Sequence, residues 1–96
     1  MLNIRDAIKL YLLLSNSVPE EEMDIMDFIG TIIDNIKNSE RPEAFGEAIM
    51  LMHNMDISEL KVKKPYETIE LFATGLADNK FVSLAAFCKS IGISNG

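Results

Sequence analysis

Apolar residues recur at helical spacing along the chain, and the stretch the rest is expected to be organised around is residues 20–38, EEEMDIMDFIGTIIDNIKN. At 100° per residue, Phe28, Ile32, Ile25, Ile36, Ile29, Ile33 and Met26 fall on one arc roughly 160° wide, beyond the ~100° stripe a surface helix needs. This helix is therefore expected to touch more than one neighbour and to organise the rest. Glu20, Asp24, Asp27 and Asp34 collect on the opposite side, with no base among them. Pro19 suits the first position of a helix, and Glu20, Glu21 and Glu22 would meet the helix dipole favourably in the first turn. Gly30 sits in the middle, where it costs about 1 kcal/mol relative to alanine. Close approach of another backbone, or a kink, would account for it.

The flanking segments read as further helices. Asn3 can cap a first helix running to about Leu14, with Asp6 in the place of a capping-box carboxylate. Ile4, Ala7, Ile8, Leu10, Tyr11, Leu12 and Leu14 cover about 200° of its wheel, and Leu13 lies on the far side between Asp6 and Lys9. Two readings stay open for so wide a patch: a sandwiched core helix, or a partner surface built on Leu10, Leu13 and Leu14. Ser15, Asn16 and Ser17 break the pattern. Pro42 starts a third helix running to about Asn54, with Ala44, Phe45, Ala48, Ile49, Leu51, Met52 and Met55 inward and Gly46, Glu47, Met50 and His53 outward. The methionine-rich run 50–55 fits core filling or an adaptable binding surface.

Residues 56–60 suit one further turn before the basic loop 61–64. Pro65 opens a fourth helix with Ile69, Phe72, Ala73 and Leu76 inward and Leu71 pointing away. Asp78 or Asn79 can end it and cap a fifth, in which Phe81, Leu84, Ala85, Phe87, Cys88 and Ile91 share a face. Gly92 followed by Ile93 suits a left-handed helix stop with its hydrophobic contact, and residues 94–96 are expected to fray. The pattern predicts an all-α fold, a compact irregular or orthogonal bundle of about five helices around 20–38.

With 96 residues, 48% of them hydrophobic and 25% charged, the chain has the size and oil of a single domain, 1–96. The net charge of −6 is uneven: residues 1–60 carry 12 acids against 4 bases, and residues 61–96 carry 3 against 5. Nucleic acid would be repelled by most of such a surface, whereas a basic protein partner would be attracted. The single cysteine, Cys88, cannot form an intramolecular disulfide, which suits a reducing compartment and a cytoplasmic location. The apolar run 11–14 is far short of the ~18 residues a membrane span requires.

Candidate chemistry is sparse. His53 is the only histidine and Cys88 lies 35 residues later, so no zinc spacing exists. The acids of 20–27 lack the alternating pattern and glycine of a calcium loop, and no phosphate-binding or nucleophile motif is present. No cofactor, metal or catalytic residue is assigned.

Two resemblances bear on function. Phe87-Cys88-Lys89-Ser90-Ile91-Gly92-Ile93-Ser94 resembles the helix-and-turn half of helix-turn-helix DNA-binding proteins, but no recognition helix follows it. Pro65-Tyr66-Glu67, Leu71-Phe72, Gly75-Leu76 and Asn79 in a short acidic helical chain resemble the small tail-assembly chaperones of long-tailed bacteriophages and prophages. That resemblance implies a helical, non-enzymatic protein that binds other tail proteins, and it assigns no residue. The expectation is a non-catalytic interaction module, with Leu10, Leu13 and Leu14 supplying affinity for a protein partner or a second copy and Asp24, Asp27 and Asp34 steering a basic surface. A regulatory DNA-binding protein and a small enzyme are the alternatives.

Overall fold

The structure, a computed structural model, describes residues 2–93. Among these it is all-helical: α1 (Ile4–Leu14), a 3-10 turn (Ser15–Ser17), α2 (Ile25–Lys37), α3 (Ala44–His53), the single-turn α4 (Ile57–Lys61), α5 (Pro65–Asp78) and α6 (Phe81–Ser90). One core holds them together, built from Leu10, Tyr11 and Leu14 of α1, Phe28, Ile32, Ile33 and Ile36 of α2, Ala44, Ala48 and Ile49 of α3, Phe72 and Leu76 of α5, and Phe81, Ala85 and Cys88 of α6. The expected fraying of 94–96 lies outside the described residues.

The centre is α3. It packs on α1, α2, α4 and α5, and none of its residues is exposed. Met50, Gly46, Glu47 and His53, expected outside, are all half-shielded. A helix apolar almost all round is a buried helix, and the string AFGEAIMLMH is of that kind. The methionine run is half-buried packing: Met52 and Met55 lie against the core. Asn54, in the left-handed conformation at φ 52°, stops the helix, and the Met55 N–H donates to the Met50 carbonyl at 3.1 Å.

The stretch expected to be central starts five residues late and lies to one side. Asp24, extended at φ −68° and ψ 166°, is the N-cap of α2, its side chain accepting from the Asp27 N–H at 2.9 Å. Two starts compete in this sequence, Pro19 and Asp24. The second satisfies an otherwise unpaired N–H with a side-chain oxygen and leaves residues 18–24 free to lay Val18 and Met23 against the core. The Thr31 hydroxyl, 3.6 Å from the Met23 sulfur, holds that loop to the helix. As expected, α2 has several neighbours: α3, the 3-10 turn, and α6 through Phe28 and Phe81, whose ring centroids are 6.4 Å apart. Its buried arc is narrower than the pattern suggests, since Ile25 and Met26 are exposed.

Two other faces are partly rotated from expectation. On α5 the buried line is Phe72, Gly75 and Leu76; Ile69 is exposed and Leu71 is half-buried against the core. Gly75 sets this rotation, because a Cβ there would lie 2.8 Å from the sulfur and terminal methyl of Met52 and 3.1 Å from Nε2 of His53. Beside it, Phe45 and Phe72 stack with centroids 4.8 Å apart. On α6, Phe81, Ala85 and Cys88 face in as expected, with Leu84 half-buried, while Phe87 and Ile91 face water. Asn79 does not cap α6. Its side chain accepts from the Leu2 N–H at 2.9 Å and donates to the Gly75 carbonyl, tying the chain's start to the α5–α6 turn.

The two mid-helix glycines should respond oppositely to substitution. Gly30 has nothing within 4 Å of an added Cβ, so neither neighbouring backbone nor side chain accounts for it. Gly30→Ala is expected to stabilise by about 1 kcal/mol through helix propensity. Gly75→Val is expected to destabilise by about 2 kcal/mol through overpacking. Urea unfolding of each variant, with an unchanged slope and a shifted midpoint, is the measurement.

Candidate functional site

Helical spacing places Asp27, Thr31 and Asp34 in line on the flank of α2 turned away from Phe28, Ile32 and Ile36, and the N-cap Asp24 extends the row. All three aspartates are exposed. Asp24 gives one oxygen to the cap and keeps the other. Among the described residues the only ion pairs are those of Arg41 with Glu43 and Glu47, both at 3.2 Å, so the acids of α2 carry uncompensated charge. Between them lies a shallow depression of about 430 Å³ lined by Met23, Met26, Asp27, Gly30, Thr31 and Asp34. Gly30 leaves its floor without a side chain, and Met26, 79% exposed, stands at its edge.

The structure therefore brings Asp24, Asp27 and Asp34 together as the sequence pattern has them. Met26 and Met23 are the members that sequence reasoning misses. Met26 sits at the margin of the apolar arc, and recognising Asp24 as the cap would have moved it outward and placed Met23 in a loop.

The first helix contradicts the affinity surface expected of it. Leu10 and Leu14 are 0% exposed, closed in because α1 is covered by α3 on one side and α6 on another. They are core and not available to a partner. Leu13 is half-buried and lines, with Leu12, Ser17 and Arg41, a depression of about 320 Å³ where α1 meets the α2–α3 connection. Of the two readings of that helix, the sandwiched one holds for Leu10 and Leu14.

Other candidate groups are occupied by the fold. His53 is bonded through Nε2 to the Leu71 carbonyl at 2.7 Å; a carbonyl only accepts, so this nitrogen carries the proton. The Cys88 side chain is buried, and burial pushes its thiol pKa up, away from the reactive thiolate. Among the described residues no group of three or more His, Cys, Asp or Glu side chains is placed to hold a metal, and no helix is long and apolar enough to cross a membrane.

The two segments that carried resemblances have structural roles as well. Gly92, at φ 79°, ends α6, with the Gly92 N–H donating to the Lys89 carbonyl and the Ile93 N–H to the Cys88 carbonyl. This is a left-handed stop with Ile93 packed on the core, as expected; Ser94, the last residue of the helix-turn-helix-like pattern, lies outside the described residues. In the chaperone-like segment, Pro65 is the first residue of α5, Glu67 accepts from the Lys64 N–H at 3.1 Å, and Phe72, Gly75 and Leu76 are buried. Tyr66 of that segment is exposed.

Truncation separates core from surface on α1. Leu10→Ala and Leu14→Ala should each cost about 2 to 5 kcal/mol, a large part of the ~5 to 15 kcal/mol that holds a domain, and Leu13→Ala less than either. Thermal melts followed by circular dichroism rank the three. Compared with protein-family models, with curated proteins and with solved structures, the chain matches none.

Proposed function

We propose that this chain is a non-catalytic protein-interaction module that reversibly binds a basic protein segment on the outer flank of α2. The observation that carries this reading is the row Asp24, Asp27 and Asp34, exposed and without ion pairs, around a helix position that has no side chain. Each part of the flank has a physical task. The carboxylates steer a cationic partner into encounter, supported by the surplus of negative charge in residues 1–60. Met26, long and unbranched, adapts to whatever apolar side chain accompanies the partner's charges. Gly30 lets the partner's backbone come closer than any other residue would.

The resemblance of residues 65–79 to phage tail-assembly chaperones makes proteins of a phage or prophage tail the first partners to try, with the chain acting as a cytoplasmic assembly factor. A free, buried thiol suits that compartment. A DNA-binding role finds no support in the surface charge, since the exposed acids of α2 would repel a phosphate backbone.

The test is association kinetics with purified tail-tube and tape-measure proteins of long-tailed phages. Asp27→Asn combined with Asp34→Asn should slow association about tenfold at low salt, flatten its dependence on ionic strength and change dissociation little. Equal association rates for variant and wild type at every salt concentration overturn the reading.

A further inference from the structure

On the other side of the loop 18–24 from the aspartate row lies a second concavity, about 450 Å³, formed where that loop faces α6. Its floor is apolar: Val18, Pro19 and Phe28 from one side, Val82 and Ala86 from the other. Its lip is Glu20, Glu21 and Glu22, all exposed and none in an ion pair. Lys89 stands on the opposite wall. A groove of this volume has room for a small aliphatic side chain. Such a groove calls for an aliphatic side chain flanked by positive charges.

The chain itself carries that group. Between α4 and α5 runs Lys61-Val62-Lys63-Lys64, in which Val62 is 78% exposed and the three lysines are exposed and without ion pairs. Its Val62 has no place in the core, although valine is among the residues most often buried. Three lysines around one valine complement three glutamates around one apolar floor in sign, number and hydrophobicity. Lys89 repels an incoming lysine and so favours the orientation that turns the loop's charges toward the glutamates.

We infer that the groove between loop 18–24 and α6 receives the loop 61–64 of a second copy of this chain. Groove and loop are different surfaces, so the contact is head-to-tail: each copy keeps one free groove and one free loop, and the association extends or closes into a ring. The inference goes beyond the proposed function, because it uses neither Asp27 nor Asp34 and requires no foreign partner.

The test is sedimentation velocity over a range of protein concentrations at low and physiological salt, with two variants of the full chain. In one, Lys61, Lys63 and Lys64 are each replaced by Glu; in the other, Glu20, Glu21 and Glu22 are each replaced by Lys. All six positions are exposed, and helical circular dichroism confirms that each variant is folded. Wild type should self-associate at low salt and lose about tenfold in affinity at physiological salt, as expected for three exposed ion pairs. Each variant alone should remain monomeric, and an equimolar mixture of the two should recover the association. Asp27→Asn with Asp34→Asn should leave self-association unchanged, which separates this result from that of the proposed function. Wild type that is monomeric at every concentration, variants that associate as strongly as wild type, or a mixture that stays monomeric each overturn the inference.

Discussion

The contact on which the bundle depends is that of α3 with α5. At Gly75 the α5 backbone comes so near that Met52 and His53 fill the space a side chain would take. Around that point the helices are joined in three ways: apolar packing of Met52 across the glycine, the stack of Phe45 on Phe72, and the His53 bond to the Leu71 carbonyl. The last is a polar link in a mostly apolar seam, and it holds α5 in the rotation that Gly75 permits. With α5 on one side and α1 on another, α3 has no residue fully in water, although the Glu47 side chain reaches out to Arg41. The remaining helices take their places around it: α2 and α4 against α3, and α6 against α1 and α5.

Burying an all-round apolar helix has a consequence for the surface. The amphipathic helices, α2 above all, are left at the periphery, where their polar sides must face solvent. On α2 that side is acidic, and no ion pair among the described residues neutralises it; the ion pairs formed are those of Arg41, at the entry to α3. Exposed ion pairs add little to stability, so their absence costs the fold little. It leaves a field that reaches beyond the surface, and a field of one sign acts on encounters with other molecules more than on the fold.

Helix existence was legible in the sequence almost throughout, because apolar spacing, Pro65, Asn3 and the Gly92-Ile93 stop are local signals with local causes. What the pattern misjudged was which helix is central and, in part, which way three helices face. Strong amphipathicity in 20–38 marks a helix with a wet side and not a centre; the weakly amphipathic string 44–53 is the better sign of a centre. On α5 and α6 helical spacing places Phe72, Leu76, Phe81, Ala85 and Cys88 inward as observed, and it also admits Ile69, Phe87 and Ile91, which the packing leaves in water. The actual face of α5 is set by the residue with no side chain at all, and that of α6 by the short Ala85 and Cys88, which allow close packing where Phe87 does not. The aspartate row was legible because helical period alone places it. Leu10 and Leu14 were not, since whether a wide apolar arc is covered by the chain itself depends on contacts far away in sequence.

The loop 18–24 shows how a few residues withheld from a helix create surface. Had α2 begun at Pro19, Glu20, Glu21 and Glu22 would lie in its first turn, their charges partly offset by the helix dipole, and Met23 would lie along the helix cylinder. Capping at Asp24 instead leaves residues 18–24 in a non-helical path held down by Val18 and Met23. That path lines the groove facing α6, and its Met23 also reaches the depression on α2. Met23 thus sits between two concavities, one lined by Asp27 and Asp34 and the other by Glu20, Glu21 and Glu22. The capping hydrogen bond of Asp24 decides where the helix begins, and through that choice it decides that this acidic surface is concave.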